Sequence, residues 1–205
     1  MTNYSTVFIV DDDQAVRDSL KFLVESNGRA AQTYASAKAF IDGYNPDMPG
    51  CVLLDVRMPE MSGFELQKEM QKRQITIPII FISAHGTVPA AVRALKLGAS
   101  DFVMKPFNNQ VLLEKIDQAI EADKIHREER DRKQHIADRM ANLTARELDV
   151  MRLIVEGMPA KKIAEQLGIS NKTVDVHRSH IMHKLEIKSV AELVKMVVSV
   201  ENHNH

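Results

Sequence analysis

Short apolar runs alternate with longer amphipathic stretches between Thr6 and Phe107. The apolar runs are TVFIV, RAAQT, CVLL, PIIFIS and DFVM, of which RAAQT is the weakest. Apolar runs separated by amphipathic segments of helical length are typical of parallel strands whose crossover connections are helices. The pattern therefore predicts five strands, each followed by a helix.

The amphipathic stretches carry the start and stop signals of helices. Apolar residues recur at helical spacing between Gln14 and Asn27, and Gly28 follows as a residue that commonly ends helices. Similar signals mark the other four helices: a cap at Ser36, the stretch 64–73, a stop at Gly98 and a start near Asn108. Five such units predict an α/β fold, the flavodoxin-like doubly wound parallel five-stranded sheet with strand order 2-1-3-4-5.

The chain is helical in pattern from Asn142 onward. Helices are predicted at 145–156, 161–167, 171–185 and 190–198, with breaks between them. Four short helices joined by tight turns predict a small all-α domain. We therefore expect a first domain at 1–122, a linker at 123–140 and a second domain at 141–205.

The segment 121–140 holds twelve charges of both signs and neither Gly nor Pro, which indicates a charged, helical linker. Two interpretations stay open. The segment is either a solvated spacer or a continuation of the fifth helix that transmits orientation between the domains. Its apolar positions are too sparse to define a coiled-coil seam.

The overall composition narrows the function only a little. A net charge of −1 gives no whole-protein argument for nucleic acid, so any such argument must be local. Cys51 is the single cysteine, and a small buried hydrophobe explains it better than a redox centre. No basic leader is present, and no apolar run approaches the roughly 18 residues of a membrane helix. We expect a cytoplasmic protein, with His203 and His205 in a disordered tail rather than a metal site.

Acidic side chains follow two strands that are neighbours in the predicted sheet. Asp11, Asp12 and Asp13 follow strand one, and Asp55 ends strand three. Ligands of open α/β sheets bind at the carboxyl ends of the strands that flank the topological switch point. Two carboxylates ~5 Å apart repel by roughly 3 kcal/mol at an effective dielectric of about 20, so the cluster is unfavourable unless a proton or a cation neutralises it. Oxygen ligands favour Mg²⁺, although Asp13 also suits a helix N-cap.

Two further residues converge on the same edge of the sheet. Ser83 ends strand four, and Lys105 follows strand five. A carboxylate, a hydroxyl, an ammonium and Mg²⁺ can together hold an incoming phosphoryl group, whose transfer depends mainly on positioning and charge neutralisation. The first domain is therefore expected to accept a phosphoryl group at this edge.

Four segments resemble the CheY-like receiver domains of two-component response regulators, in order and in spacing. They are VDDD at 10–13, LLDVRMPEMSG at 53–63, FISAHG at 81–86 and GASDFVMKPF at 98–107. The resemblance implies that a histidine kinase phosphorylates Asp55. It also implies that Asp12 ligates Mg²⁺ directly, that Asp11 assists through water, and that the main-chain carbonyl of Arg57 completes the metal site.

The same resemblance assigns roles to residues of strands four and five. Ser83 would hydrogen-bond the phosphoryl group and Lys105 would pair with it, and the bond before Pro106 would be cis. Phe102 matches the aromatic switch position, which turns inward when the hydroxyl moves toward the phosphate. An ordinary core phenylalanine would give the same pattern, so both interpretations of Phe102 stay open.

The second domain has the spacing of a helix-turn-helix. The stretch Lys161–Leu167 is followed by Gly168 and by a helix that Ser170 can cap. Spacing alone is a weak signal, but residues 161–188 hold six basic residues, Lys161 among them, against three acids. This local positive charge favours a surface that faces DNA phosphates.

Two segments, 143–157 and 161–189, resemble the LuxR/FixJ-type output domain. The resemblance makes Thr173–Leu185 the recognition helix in the major groove, and it makes the last helix, from Val190, a dimerisation element. The candidates for base reading are Asp175, Val176 and Ser179. The candidates for phosphate contacts are Lys172, Thr173, His177, Arg178 and Lys184. We expect Val174, Ile181 and Leu185 to face the core of the domain.

The second domain departs from the family pattern at two places. Pro159-Ala160 stands where the family usually has Asn, so a capping contact is lost there. Asp175 replaces a basic residue found in some members, and an acid in the groove repels phosphate. This acid can instead accept a hydrogen bond from cytosine N4, which would give sequence preference with little added affinity. The operator sequence therefore cannot be inferred from relatives.

Together these features predict a DNA-binding transcription regulator rather than an enzyme. Phosphorylation of Asp55 would favour a homodimer, whose paired helix-turn-helix units reach two half-sites of promoter DNA. Two alternatives stay open. A haloacid-dehalogenase-like phosphatase also has Asp11-x-Asp13 after a strand, but it expects Thr or Val where this chain has Ala15. The second alternative is an output domain that binds RNA or protein. Residues 141–205 lack the aromatic residues that stack on single-stranded RNA, which argues against RNA.

Overall fold

The chain forms two compact units. The computed structural model describes residues 5–84 and 87–201, and the division lies between Arg127 and Glu128. The end of the FISAHG segment, His85 and Gly86, lies outside the described residues, as do the tail histidines. The first unit alternates strands with helices and the second is helical, which confirms the predicted fold class. The linker bounds at 122 and 140 stay a prediction.

The first unit is built on a five-stranded parallel sheet. Its strands are β1 Thr6–Val10, β2 Ala30–Tyr34, β3 Gly50–Asp55, β4 Ile79–Ser83 and β5 Asp101–Met104. Their order is β2-β1-β3-β4-β5, as predicted, and each neighbouring pair is parallel. The register pairs Val10 with Leu54, so the residues that follow β1 lie beside the end of β3.

Five helices accompany the sheet in the described ranges 5–84 and 87–141. They are α1 Gln14–Ser26, α2 Ala37–Gly43, α3 Gly63–Lys72, α4 Val88–Lys96 and α5 Asn109–Ala141. The predicted caps are present, because Asp13 accepts a hydrogen bond from the N–H of Ala15 and Ser36 accepts one from the N–H of Ala39. The charged segment belongs to α5, which is helical for 33 residues. In the part of the chain that the structure describes, no helix is both long enough and apolar enough to cross a membrane.

The core of the first unit lies on both faces of the sheet. Phe8 and Phe81 pack on one face, and Ile9 and Ile80 pack on the other. Strands that are buried on both faces read as continuous apolar runs, which is why β1, β3 and β4 were easy to predict. Strand β2 lies at the sheet edge, and its residues are exposed or half-buried. This position explains the weak run there.

Cys51 lies in the core of β3 and is fully buried. Burial raises the pKa of its thiol, and the negative charges of Asp123 and Asp117 act in the same direction. A thiol that stays protonated is unreactive. Cys51 therefore serves as a small core residue.

Four helices follow the end of α5 among residues 142–201 of the second unit. They are α6 Ala145–Val155, α7 Ala160–Leu167, α8 Asn171–Leu185 and α9 Val190–Glu201. Gly168 ends α7 with a φ of 65°, and the Ser170 hydroxyl accepts a hydrogen bond from the N–H of Thr173 at 3.1 Å. A turn of three residues therefore joins α7 to α8, as the helix-turn-helix spacing predicted.

The core of the second unit forms between these helices. Val174, Ile181 and Leu185 of α8 are buried in it, as predicted. Helix α7 begins after Pro159, which offers no side-chain hydrogen bond to the helix, so the expected loss of a cap is confirmed. The buried positions leave the opposite face of α8 toward solvent.

Candidate functional site

Three predicted residues meet at the carboxyl end of the sheet. The Lys105 ammonium donates one hydrogen bond to Asp11 Oδ2 at 2.9 Å and another to Asp55 Oδ1 at 3.2 Å. Asp11 is buried, and Asp55 and Lys105 are half-buried. One ammonium therefore bridges two carboxylates that the sheet brings together from the ends of β1 and β3, and the three charged groups together keep a net negative charge. The peptide bond between Lys105 and Pro106 is cis, as expected.

Main-chain groups hold both carboxylates in place. The N–H of Arg57 donates to Asp55 Oδ2 at 2.6 Å, and the N–H of Asp13 donates to Asp11 Oδ1 at 2.9 Å. Each carboxylate thus has one oxygen bound to the backbone and the other bound to Lys105. The Arg17 guanidinium donates to the main-chain carbonyl of Asp11 at 2.7 Å. Arg17 was not identified from the sequence. Its only sequence signal is that it is a basic residue in the helix that follows the acids.

The environment of the pocket shifts the pKa values of two of these groups. Burial raises the pKa of Asp55, and the N–H of Arg57 and the charge of Lys105 offset only part of that rise. Burial acts to lower the pKa of Lys105, but its bonds to Asp11 and Asp55 outweigh it, so this pKa is raised. Lys105 therefore stays charged beside a carboxylate that is more basic than an ordinary aspartate.

The third acid of the proposed metal site lies apart from this contact. Asp12 is exposed, and its carboxylate has no hydrogen-bond or ion-pair partner among residues 5–84 and 87–201. Within these same ranges, no three His, Cys, Asp or Glu side chains converge as ligands of one metal ion would. The donors are nevertheless all oxygens, and Asp11 and Asp55 already share one cation, the Lys105 ammonium. The residues therefore suit a hard divalent cation by their chemistry.

Ser83 and Phe102 lie on the two strands beside the pocket. Ser83 ends β4 and is buried, and its carbonyl accepts a hydrogen bond from the N–H of Lys105 at 2.8 Å. Phe102 is half-buried on β5, with its ring centroid 6.2 Å from that of Phe81. The Phe102 ring thus packs against the core in this conformation.

Most of the predicted DNA contacts lie on the solvent side of the second unit. Lys161 of α7 is exposed, as are five residues of α8: Lys172, Asp175, Val176, Arg178 and Ser179. Thr173 and His177 are half-buried, and the Thr173 hydroxyl shares a hydrogen bond with that of Ser170 at 2.8 Å. On α8 the exposed group combines two basic residues and Ser179 with one acid, Asp175, and one apolar residue, Val176. Basic and polar side chains of this kind are expected on a DNA-facing surface.

Lys184 is set apart from that exposed group. Its ammonium donates to Glu147 Oε2 at 2.7 Å and to the carbonyl of Asn142 at 3.2 Å. Glu147 is buried and completes a capping box with Thr144 at the start of α6. The hydrogen bond from Lys184 lowers the pKa of Glu147 to about 2, against the effect of burial. Lys184 therefore ties α8 to α6, a contact that its position among the basic residues did not reveal.

A doubly wound sheet with an acid and lysine pocket, followed by a helix-turn-helix, defines a signalling module joined to a DNA-binding module. Residues 7–117 match the family described as the response regulator receiver domain. Residues 141–197 match the family described as bacterial regulatory proteins, luxR family. The chain belongs to the two-component response regulators that carry a luxR-family output domain.

Similar proteins agree with this assignment over nearly the whole chain. The transcriptional regulatory protein FixJ of Rhizobium meliloti is 44% identical over 97% of this chain and 97% of its own length. The transcriptional regulatory protein TdiR of Thauera aromatica is 41% identical over 98% of this chain and 88% of its own length. This family consists of transcription regulators and not of enzymes, which counts against the phosphatase alternative.

Solved structures show the same similarity. The response regulator StyR superposes with a TM-score of 0.87 at 42% identity, covering 95% of this chain and 98% of that chain. Full-length FixJ from B. japonicum superposes with a TM-score of 0.58 at 39% identity, covering 99% of this chain and all of that chain. Both the receiver fold and the helical output unit are therefore shared with response regulators.

Proposed function

We propose that Asp55 accepts a phosphoryl group from a sensor histidine kinase and that this event controls the binding of promoter DNA by α8. The observation that carries the proposal is the Lys105 ammonium, which contacts the carboxylates of both Asp11 and Asp55. Two acids that share one ammonium at a sheet edge keep a net negative charge, which favours the binding of a metal cation. Such a cation would accompany the incoming phosphoryl group. We place the protein in the cytoplasm, where it would meet both the kinase and DNA.

The residues proposed to hold Mg²⁺ are Asp11, Asp12, Asp55 and the main-chain carbonyl of Arg57. When bound, the ion would neutralise the acids and the oxygens of the incoming phosphoryl group. Asp55 Oδ1, the oxygen that now faces Lys105, would attack phosphorus while the bond from phosphorus to the donor histidine nitrogen breaks. Lys105 would then pair with the phosphoryl oxygens, and the Ser83 hydroxyl would donate a hydrogen bond to them.

Phosphorylation would shift the receiver toward a state that forms a homodimer. Phe102 is the proposed switch residue, since it lies on β5 and next to the strand that ends in Ser83. Four apolar side chains are exposed on α4 and on β5, against which α4 packs: Val88, Val92, Leu95 and Met104. Exposed apolar groups of this kind are typical of association surfaces, and a second copy of the chain is the occupant that we propose. The last helix, α9, would contribute to the same dimer.

The second unit would bind promoter DNA with α8 in the major groove. Lys161, Lys172 and Arg178 would contact phosphates, with Thr173 and His177 at the edge of the groove. Asp175, Val176 and Ser179 would face the bases. Lys184 is left out of this set, because its ammonium is already bound to Glu147.

Binding of promoter fragments with and without a small phosphodonor and Mg²⁺ tests the proposal. We expect the donor to raise the affinity of the wild-type chain and to have no effect on Asp55→Asn, with Asp47→Asn as an exposed control that behaves like wild type. An equal response to the donor in Asp55→Asn would contradict the proposal.

A further inference from the structure

We infer that Arg139, near the end of α5, is a positioning residue for DNA recognition because it holds the carboxyl end of α8. Arg139 Nη1 donates to the carbonyl of Leu185 at 3.1 Å, and Nη2 donates to Glu186 Oε2 at 2.7 Å. Leu185 is the last residue of α8 and Glu186 is its C-cap. The inference rests on the proposed role of α8 as the recognition helix.

The carboxyl end of α8 stops in an unusual way. Glu186 has a φ of 54°, a left-handed conformation that helices normally assign to glycine or asparagine. The last carbonyls of a helix have no partners within the helix, and they attract positive charge. The guanidinium of Arg139 meets both needs, because it binds the Leu185 carbonyl and pairs with the Glu186 side chain. The N–H groups of Glu186 and Ile187 cap the carbonyls of His183 and Met182. Arg139 adds from α5 a partner for the Leu185 carbonyl, which lies further along the helix.

A second set of bonds ties the same end of α8 to the same part of the chain. Lys184 donates to the carbonyl of Asn142 and to Glu147, which lie just after α5 and at the start of α6. We call the four hydrogen bonds made by Arg139 and Lys184 the α8 clamp. Apolar burial sets which face of α8 turns inward but has little directional preference, whereas charged hydrogen bonds are directional. The clamp therefore fixes the tilt of α8 at its carboxyl end.

The position of Arg139 links the clamp to the charged segment of α5. Arg139 stands within the charged segment and before residue 141, where the match to the luxR family begins. The carboxyl end of α8 is therefore hydrogen-bonded both to the last turns of α5 and to α6. A solvated spacer, one of the two interpretations of the charged segment, does not account for this contact.

The test compares Arg139→Gln with Arg132→Gln in the full-length chain. Arg132 is an exposed residue of the same helix, and it has no hydrogen-bond or ion-pair partner within 5–84 and 87–201. Affinities are measured for a promoter fragment and for a random fragment over a range of salt concentrations, with the active fraction of each protein titrated. We expect Arg139→Gln to lose about tenfold in promoter affinity, with random-fragment affinity and salt slope unchanged, and Arg132→Gln to match wild type.

Three other outcomes would overturn the inference. Wild-type discrimination in Arg139→Gln, with a lower melting temperature only, would mean that the clamp stabilises the fold without setting recognition. A salt slope smaller by about one would mean that Arg139 contacts a DNA phosphate itself. If wild type and Arg132→Gln also show no preference for the promoter, the proposed role of α8 fails together with the inference. In the first two outcomes wild type still prefers the promoter, so only the inference fails.

Discussion

The ammonium nitrogen of Lys105 lies 3.2 Å from Asp55 Oδ1, although 50 positions separate the two residues in the sequence. The parallel sheet produces this contact, because the carboxyl ends of β3 and β5 open on the same edge. This contact keeps the positive charge of Lys105 beside the Asp55 carboxylate, which we propose as the phosphoryl acceptor. Several measurable properties of the pocket depend on it.

Replacing Lys105 with Met should slow the phosphorylation of Asp55 by a small phosphodonor by about tenfold or more. The variant loses the ammonium that would pair with the phosphoryl oxygens, and such preorganised charges account for large parts of transfer rates. Lys38→Met, which changes an exposed lysine of α2, is the control. A rate within twofold of wild type in Lys105→Met would count against the role of this ammonium.

Replacing Asp55 with Asn should stabilise the first unit at neutral pH. Because the pKa of Asp55 is raised in the folded state, its contribution to stability is present below the ordinary value of 3.8 and is lost as the pH rises through the raised pKa. Asn cannot ionise, so the variant should have the larger free energy of unfolding at pH 7. Urea unfolding at pH 7 and near pH 3 measures the difference, which should disappear at the lower pH. A variant that is less stable than wild type at pH 7 would contradict the assignment of the shift to burial.

The output unit should respond to pH in the opposite sense. The pKa of Glu147 is lowered from 4.5 to about 2, so its stabilising effect is present above 4.5 and is lost as the pH falls toward about 2. Circular dichroism of thermal unfolding should show a falling melting temperature across this window in wild type. Glu147→Gln should be less stable at pH 7 and should show a smaller change between pH 5 and 2. Parallel curves for the two proteins would rule out Glu147 as the source.

A buried ion pair joins α5 to the segment before β3. Asp123 Oδ2 accepts hydrogen bonds from the N–H of Gly50 at 2.9 Å and from Arg127 Nε at 2.6 Å. The same guanidinium donates to the carbonyls of Pro46 and Met48. The side chain of Asp123 is 1% exposed, so its charge depends on Arg127 for compensation.

Arg127→Met should therefore lower the free energy of unfolding by about 3 kcal/mol, the usual cost of leaving a buried charge without its partner. Adding Asp123→Asn removes that charge but keeps an oxygen for the N–H of Gly50, so the double variant should recover part of the loss. Lys124→Met, an exposed neighbour on α5, should change stability little. Urea unfolding of the four proteins measures the coupling, and strictly additive effects would contradict it.

The exposed residues of α8 should separate into two groups in DNA binding. Lys172→Gln and Arg178→Gln should weaken binding to all sequences and lower the salt slope by about one each, since each would remove one phosphate contact. Asp175→Asn should instead change the preferred sequence, with a discrimination change of about 1–3 kcal/mol at one base pair. Selection of binding sites from a random library checks the second expectation, and an unchanged consensus would refute the base contact.

Local signals in the sequence explain most of what could be predicted. The caps at Asp13, Ser36 and Ser170, the stop at Gly168 and the continuous apolar strands depend on neighbouring residues, so they can be read from the chain. The acidic pocket was predictable because strand order places the ends of β1 and β3 side by side. The Lys105 side chain points toward the acids, as the resemblance to receiver domains implied.

Contacts between charged residues that are distant in the chain could not be predicted. Lys184 and Arg139 have the pattern of solvated helix residues, yet each binds a group more than 30 positions away. Asp123 lies in a segment of mixed charge and is nevertheless buried. Such contacts are set by how helices pack, and periodicity and charge counts contain no information about them.

The position of the phosphoryl group tests the central claim most directly. Wild-type chain and Asp55→Asn are incubated with a small phosphodonor, with Mg²⁺ or with a chelator, and the modified residue is mapped by mass spectrometry of proteolytic peptides. We predict one base-labile phosphoryl group on Asp55 that requires Mg²⁺ and is missing from Asp55→Asn. Incorporation that persists in Asp55→Asn, or that does not depend on the metal, would contradict the claim.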